Sequence, residues 1–404
     1  MTLRLGALAI LLTVAATASA AAQPAAADEL FPCSDGMREG VEFWKSVWTR
    51  WTLEQVVLHD TEHPSIIYDV FELPPPAGEV YTEAQRAYVK GRREALEARL
   101  AAIEGKLAVS APLADDEKAL VLKITERAGS DAVVGASQRV RSQRGLRERF
   151  RRGLEISGRY RDAFAAVFRE AGLPEVLAHL PHVESSFQVA ARSSAGAVGV
   201  WQFTRGAARK FMLMTPGLDE RLDPIASARG AARYLQAAFA ELGSWPLAIT
   251  SYNHGVEGMK AARDRFGLDF SAILDEYDGR TFGFASKNFY KEFLAALEIV
   301  SDPDAYFPEG LVFDAPLTHD RVRIERAESA AHLASRYGVP LRTLAAMNPA
   351  WTGKALKGSS LLPAGTEVWL PAGTLERVAS ARKKPAVAGM RATSDASPAA
   401  TMRP

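Results

Sequence analysis

Apolar side chains recur at helical spacing through most of this sequence. Trp44, Val47, Trp48 and Trp51 stand at i, i+3, i+4 and i+7, one face of a helix. An aromatic stripe can bind sugar, but a buried helix face is the simpler reading. Pro74-Pro75-Pro76 breaks the chain. Residues 82–106, rich in Ala, Glu, Arg and Leu, read as a helix, and 115–128 as a second. From 144 to 300 the pattern is helical almost throughout, with candidate helices at 146–171, 174–183, 204–212, 226–242, 246–254, 256–265 and 286–300. Gly172, Pro174, Pro216, Pro224 and Pro246 punctuate them. Pro303, Pro308 and Gly310 mark a boundary near 301–310. Residues 311–371 mix short strand-like runs with one helix near 327–337. Residues 380–404 are rich in Ala, Ser, Pro and Lys and are expected to form a disordered tail.

The N-terminus has a different pattern. Arg4 precedes a short apolar run from Leu5 to Val14, and small residues follow at 18–20, so residues 1–22 read as a signal peptide. The run is too short to be a comfortable permanent anchor, and no later segment reaches 18 uncharged apolar residues. No transmembrane segment is expected in the mature chain. Residues 23–28 read as a small-residue linker. The 404 residues allow two or three domains, and a formal net charge of +1 gives no global field to attract nucleic acid.

Three local features carry bland readings. The stretch 139–152 holds seven arginines in fourteen positions. Such a run usually forms a solvated helix face, and attraction to an anionic polymer is the alternative. Cys33 is the only cysteine, so no internal disulfide and no cysteine metal cluster can form. Phe31 and Pro32 before it lack the small side chains that lipidation needs. His179 and His182 lie three apart near Glu184, but Pro181 intervenes and there is no HExxH, so core or cleft-rim histidines are expected. No metal and no cofactor are expected.

Glu184 closes the largely apolar segment LPEVLAHLPHV. A carboxyl group there loses hydration and meets the negative end of a helix, and both effects raise its pKa. A protonated carboxyl near neutral pH can donate a proton to a leaving oxygen. Residues 190–203, AARSSAGAVGVWQF, form a loop able to pass close to a ligand, with Ser193 and Gln202 as polar handles. Residues 248–255, AITSYNHG, end a helix with Tyr252 beside Asn253. The tyrosine hydroxyl can orient a carboxyl, and the asparagine can hold a substrate. From Ser185 to Leu218 there is no Asp or Glu, so no second carboxylate lies close to Glu184 in sequence. Asp219, Glu220 or Asp223 could fold back towards it, although DERLDP reads more simply as a helix-capping turn.

These three segments resemble the lytic transglycosylases of the goose-type lysozyme superfamily. Glu184-Ser185 matches that family's Glu-Ser motif, GAVGVWQF its Gly-(Leu/Ile)-(Met/Trp)-Gln motif, and Ser251-Tyr252-Asn253-His254-Gly255 its Ala-Tyr-Asn-x-Gly motif. The resemblance covers residues 139–300 and is strongest to the membrane-bound lytic murein transglycosylase D subfamily. Departures fall at Trp201, where many relatives carry Met, and at Thr250-Ser251, where many carry Ala. The resemblance implies a mainly α fold with a lysozyme-like catalytic domain. It implies Glu184 as the single catalytic acid/base, with Ser193, Gln202, Tyr252 and Asn253 lining a saccharide cleft. The expected reaction is cleavage of the β-1,4 bond between N-acetylmuramic acid and N-acetylglucosamine of peptidoglycan, leaving a 1,6-anhydro-muramic acid end. A goose-type muramidase, or a non-catalytic wall-binding protein, is the alternative. The expected location is the periplasm or cell envelope.

The expected organisation is a signal peptide (1–22), a helical N-terminal extension (23–138), a catalytic domain (139–300), a module (311–375) and the tail (380–404). The module pairs AHLASRYGVPLRTLAAMN with LLPAGTEVWLP and resembles a degenerate lysin motif, an α+β unit. The usual Gly-Asp-Thr-Leu opening is replaced by Arg326-Ala327-Glu328-Ser329. Packing without peptidoglycan binding is the alternative role.

Overall fold

The computed structural model describes residues 27–76 and 78–383. The residues read as a signal peptide (1–22), most of the expected linker (23–28) and residues 384–404 of the expected tail lie outside them. Within them the chain is mainly helical, with two small sheets.

A single turn α1 (Ala27–Leu30) leads to α2 (Asp35–Thr49). The aromatic face of α2 is buried: Trp48 stacks on Phe150 at 4.7 Å between ring centroids, and Trp44 Nε1 donates to Asn288 at 3.0 Å. Removing such a ring from water contributes a few kcal/mol. This part of the N-terminal extension therefore shares one core with residues 150–299.

Strands β1 (Gln55–Asp60) and β2 (Ile67–Glu72) follow, then α3 (Glu83–Ala108), α4 (Asp115–Ala128) and β3 (Val140–Arg144). They form an antiparallel sheet in the order β2-β1-β3, which the expectation of an all-helical extension misses. Burial explains the miss, because five consecutive β1 residues, Val56 to Asp60, are buried. A strand covered on both faces shows no polar–apolar alternation. A capping box starts α3, with Gln85 N donating to Thr82 Oγ1 at 3.1 Å and Thr82 N to Gln85 Oε1 at 3.0 Å. Helices α3 and α4 cover the sheet through Leu100, Ile103, Leu120 and Ile124.

The arginine tract is not one solvated helix face. Its first half is β3, and its side chains tie segments together. Arg139 pairs with the buried Asp60 at 2.9 Å, Arg144 donates to the Leu53 carbonyl at 2.6 Å, Arg147 meets Glu309 at 2.5 Å, and Arg152 meets Asp314 at 3.1 Å.

The expected helix 146–171 is two, α5 (Arg147–Ser157) and α6 (Arg161–Glu170). They part at Gly158, where any side chain would strike Phe313 and Asp314. Next come α7 (Pro181–Glu184), α8 (Arg205–Phe211), α9 (Pro224–Leu242), α10 (Trp245–His254), α11 (Val256–Phe266), α12 (Phe270–Glu276), α13 (Phe284–Ser301) and the turn α14 (Pro303–Tyr306). Helix α12 was not foreseen. It is capped by Asp269, whose Oδ1 accepts from Ala272 N at 3.0 Å.

The last unit runs β4 (Asp320–Arg323), α15 (Ala330–Tyr337), α16 (Leu341–Met347), α17 (Gly353–Leu356) and β5 (Glu367–Leu370), with β4 and β5 antiparallel. A final helix, α18 (Thr374–Lys383), covers residues 380–383, where the tail was expected to be disordered. The unit is joined to the residues before α9. Asp219 N donates to Ala350 O at 2.8 Å and Thr352 N to Gly217 O at 3.0 Å. Trp369 Nε1 donates to Asp223 at 2.6 Å, and Arg229 meets Glu367 at 2.7 Å.

Candidate active site

Glu184 is reached through a 3-10 turn, Glu175–His179, and is the last residue of the one-turn α7. The expected helix 174–183 is thus two short turns. The chain then bends through a strained conformation. Among the described residues, positive φ in a non-glycine residue occurs only at Ser110, Ser186, Phe187 and Gln202. Three of these four lie in the catalytic motifs. Each such residue costs on the order of 1 kcal/mol or more unless its surroundings impose it. Here Ser185 Oγ donates to the Val200 carbonyl at 2.7 Å, and Phe187 is buried against Phe164 and His182. Gly153 of α5 leaves the space that Ser186 occupies.

The Glu184 carboxyl is half-buried, and no hydrogen bond or cation engages it among the described residues. Burial, followed by the nearby Glu292 carboxyl, pushes its pKa up to about 8. Burial also holds His182 well below its usual value and His179 down to about 4. Both rings are therefore neutral at pH 7 and add no positive charge beside the acid.

The glycine-rich loop is clamped from behind by the DERLDP turn. Asp219 holds Arg221 through two contacts at 2.9 and 2.8 Å. The same guanidinium donates to the carbonyls of Gly196 at 3.2 Å and Phe203 at 3.1 Å. Gly199, with φ of +82°, packs directly on the Arg221 carbonyl. Glu220 accepts from Leu213 N at 2.7 Å, and Asp223 caps α9 by accepting from Ile225 N at 2.9 Å and Ala226 N at 2.8 Å. All three acids are engaged in structure, as the capping-turn reading expects.

Gln202 donates to Gly199 O at 2.8 Å, which leaves its Oε1 without a partner among the described residues. Tyr252 donates its hydroxyl proton to Trp201 O at 2.8 Å. It thus fastens α10 to the loop and does not donate to Glu184, as the sequence had suggested. Asn253 is exposed, and its Oδ1 accepts from Ser286 at 2.8 Å, leaving its amide hydrogens free to face a ligand. Ser193 is exposed and closes its own turn by accepting from Ala197 N at 3.0 Å. Trp201 is fully buried against Phe164 and Phe168, and Thr250 and Ser251 are also fully buried. These departures from the motifs are core residues.

Sequence reasoning missed Glu292 and Ser286, both on α13. The available signal was a single acid among aromatic and apolar residues in NFYKEFLAAL. The absence of a nearby carboxylate, true in sequence, does not hold in the fold.

Residues 163–268 match the Transglycosylase SLT domain. The expected mainly α fold stands. Over 199 residues it is 27% identical to the membrane-bound lytic murein transglycosylase D of Escherichia coli K12, covering 48% of this chain and 43% of that protein. The same figures hold for the protein of that name from Escherichia coli O6:H1. The chain thus spans less than half the length of these curated relatives. Among solved structures, an inactive mutant of lytic transglycosylase Slt from Pseudomonas aeruginosa aligns with 57% of this chain and 36% of its own, at 18% identity and a TM-score of 0.30. The 70 kDa soluble lytic transglycosylase of Escherichia coli aligns at 17% identity, 57% and 31% coverage and a TM-score of 0.27. No described helix is long and apolar enough to cross a membrane.

Proposed function

We propose that this chain is a peptidoglycan lytic transglycosylase of the periplasm or cell envelope, with Glu184 as its catalytic acid/base. The observation that carries the reading is a half-buried carboxyl with no cationic partner, raised to about 8, inside a domain that matches the SLT family. Glu184 protonates the oxygen bridging N-acetylmuramic acid and N-acetylglucosamine. Positive charge develops on the sugar ring, and the substrate's own 2-acetamido oxygen stabilises it. Glu184, now a carboxylate, accepts the proton of the C6 hydroxyl, which closes on the anomeric carbon to give the 1,6-anhydro end. A tethered hydroxyl can reach an effective molarity of ~10⁵ M or more, enough to outcompete water. Gln202 Oε1 and the Asn253 amide are placed to grip the sugars, Tyr252 holds the loop to α10, and Ser193 lies on the outer turn. The unit from β4 to β5 is read as a degenerate lysin motif beside this cleft.

Muramidase action needs an ionised second carboxylate or a directed water. Asp219, Glu220 and Asp223 are engaged elsewhere, and burial holds Glu292 up to about 8, hence protonated at pH 7. Mass spectrometry of products from purified sacculi tests the reading. Products one water lighter than hydrolysed muropeptides are expected. Heavy oxygen from labelled water at most new muramic acid ends would establish hydrolysis instead.

A further inference from the structure

Helix α13 runs beside the candidate cleft and meets it at successive turns. Ser286 donates to Asn253 at 2.8 Å. Phe289 stacks parallel to Tyr252, with ring centroids 6.5 Å apart and planes at 6°. Glu292 comes one turn later on this helix, which packs against α7, the helix that ends in Glu184. It is half-buried, and no hydrogen bond or ion pair engages its carboxyl among the described residues. An acid without a partner in an apolar helix face is costly to keep, and such groups concentrate at functional sites.

The cations that could neutralise Glu292 are committed elsewhere. Its neighbour Lys291 turns to Gly40 on α2. Arg38 and Lys45 of α2 both bind Glu298, one further turn and a half along α13. On α10 the facing groups are Tyr252, whose proton is given to Trp201 O, and His254, which sits against Phe282. His179 and His182, on the turns leading to Glu184, are neutral at pH 7. The acids around the pair are internally balanced: Glu155 of α5 by Arg151 and Arg152, and Glu175 by Arg169. On α14, Tyr306 lies by Lys45, and Asp304 is exposed. Apart from the hydroxyls of Tyr252 and Tyr234 beside Glu184, both neutral at pH 7, Glu292 is thus the acidic neighbour of Glu184 in a low-dielectric setting.

We propose that Glu292 is a positioning residue for the reaction, a second carboxyl that keeps the proton on Glu184 and so sets the alkaline limit of catalysis. This rests on the reading of Glu184 as the acid/base. Two neighbouring carboxyls in an apolar setting cannot both ionise readily, so the pair loses its protons in two separated steps. While Glu292 is neutral, Glu184 can release its proton to the bridging oxygen, which leaves as a sugar hydroxyl, and then take the proton of the C6 hydroxyl without facing a second negative charge. Glu292 touches no reacting atom and forms no bond.

The test is a carbon-13 titration of the glutamate carboxyls in the full chain, with signals assigned through Glu184→Gln and Glu292→Gln. The wild type should show two coupled carboxyls titrating far above the ordinary value. In Glu292→Gln the Glu184 midpoint should fall by about half a unit or more. The alkaline limb of sacculus lysis should fall with it, while the rate at pH 5–6 stays within a few-fold. Glu292→Asp should restore part of the shift, and it serves as the folded variant if the glutamine form does not fold. An unchanged Glu184 midpoint overturns the proposal, and so does a shifted midpoint with an unmoved alkaline limb. If the Glu184→Gln protein lysed sacculi normally, the acid/base reading would fail, and the titration would still report whether the two carboxyls are coupled.

Discussion

Replacing Glu184 with glutamine separates what the carboxyl does for chemistry from what it costs the fold. In the unfolded chain the group ionises near its ordinary value of 4.5, and in the folded chain near 8. Between these values the folded state holds a proton that the unfolded state has released. The carboxyl therefore costs nothing below pH 4.5. It destabilises the fold progressively as pH rises towards 8, and the penalty levels off above that. Each pKa unit is worth about 1.4 kcal/mol, which sets a ceiling of about 5 kcal/mol at pH 9 for the 4.5-to-8 rise. Solvent reaches the half-buried group, and Glu292 titrates in the same range, so a gain of about 1–3 kcal/mol for the variant is expected. At about 2–4 °C per kcal/mol, Glu184→Gln should match the wild type in a melt at pH 5 and exceed it by several degrees at pH 9. The same protein should lose at least ~10²–10⁴-fold in turbidity-based lysis. A melting difference that is equal at pH 5 and pH 9 would refute the desolvation argument. Lysis within a few-fold of wild type would remove Glu184 from the proton transfer.

Trp369→Phe removes the indole N–H that Asp223 accepts at 2.6 Å and should destabilise the protein by about 1–3 kcal/mol. Calorimetry should show the unit from β4 to β5 melting ahead of the rest, and an unchanged single transition would show that this seam is not what joins them. Gly199→Ala places a side chain against the Arg221 carbonyl in a backbone with φ of +82°. It should cost about 2 kcal/mol or more and displace Gln202, so lysis should fall together with the melting temperature; a wild-type melt would sink the account of the loop.

Many of the helices were legible because their ends leave marks at short range. Helices α4, α8, α9, α10 and α13 begin and end within about two residues of their expected bounds, since Pro224, Pro246, Gly243 and Gly255 punctuate them. Strand β1 was invisible because burial on both faces removes its alternation. The arginine tract looked like a solvated face because its partners, Asp60, Glu309 and Asp314, lie 79, 162 and 162 positions away from the arginines they bind. Glu292 was missed for the same reason. What raises the Glu184 pKa beyond its own burial comes from a helix more than a hundred residues on. The strained turns at Ser186, Phe187 and Gln202 carry no glycine to announce them, and tertiary contacts alone impose their conformation.

Two partly or fully buried acids in this fold are held in opposite ways. Asp223 is 4% exposed, and burial alone would raise its pKa strongly. Two backbone N–H groups and the Trp369 indole point at it, and all three pull the value back down. The donors make Asp223 a joint between α9 and β5, with both of its oxygens engaged. Glu184 is less covered, yet its pKa reaches about 8 because nothing donates to it. The difference lies in the donors and not in depth. A buried carboxyl given N–H groups becomes an anchor, and one given only apolar walls and a second acid keeps its proton near neutral pH. The strained turn after Glu184 follows from the same need. The reversal at Ser186 and Phe187 ends α7 at the acid, so no further helical turn packs over it.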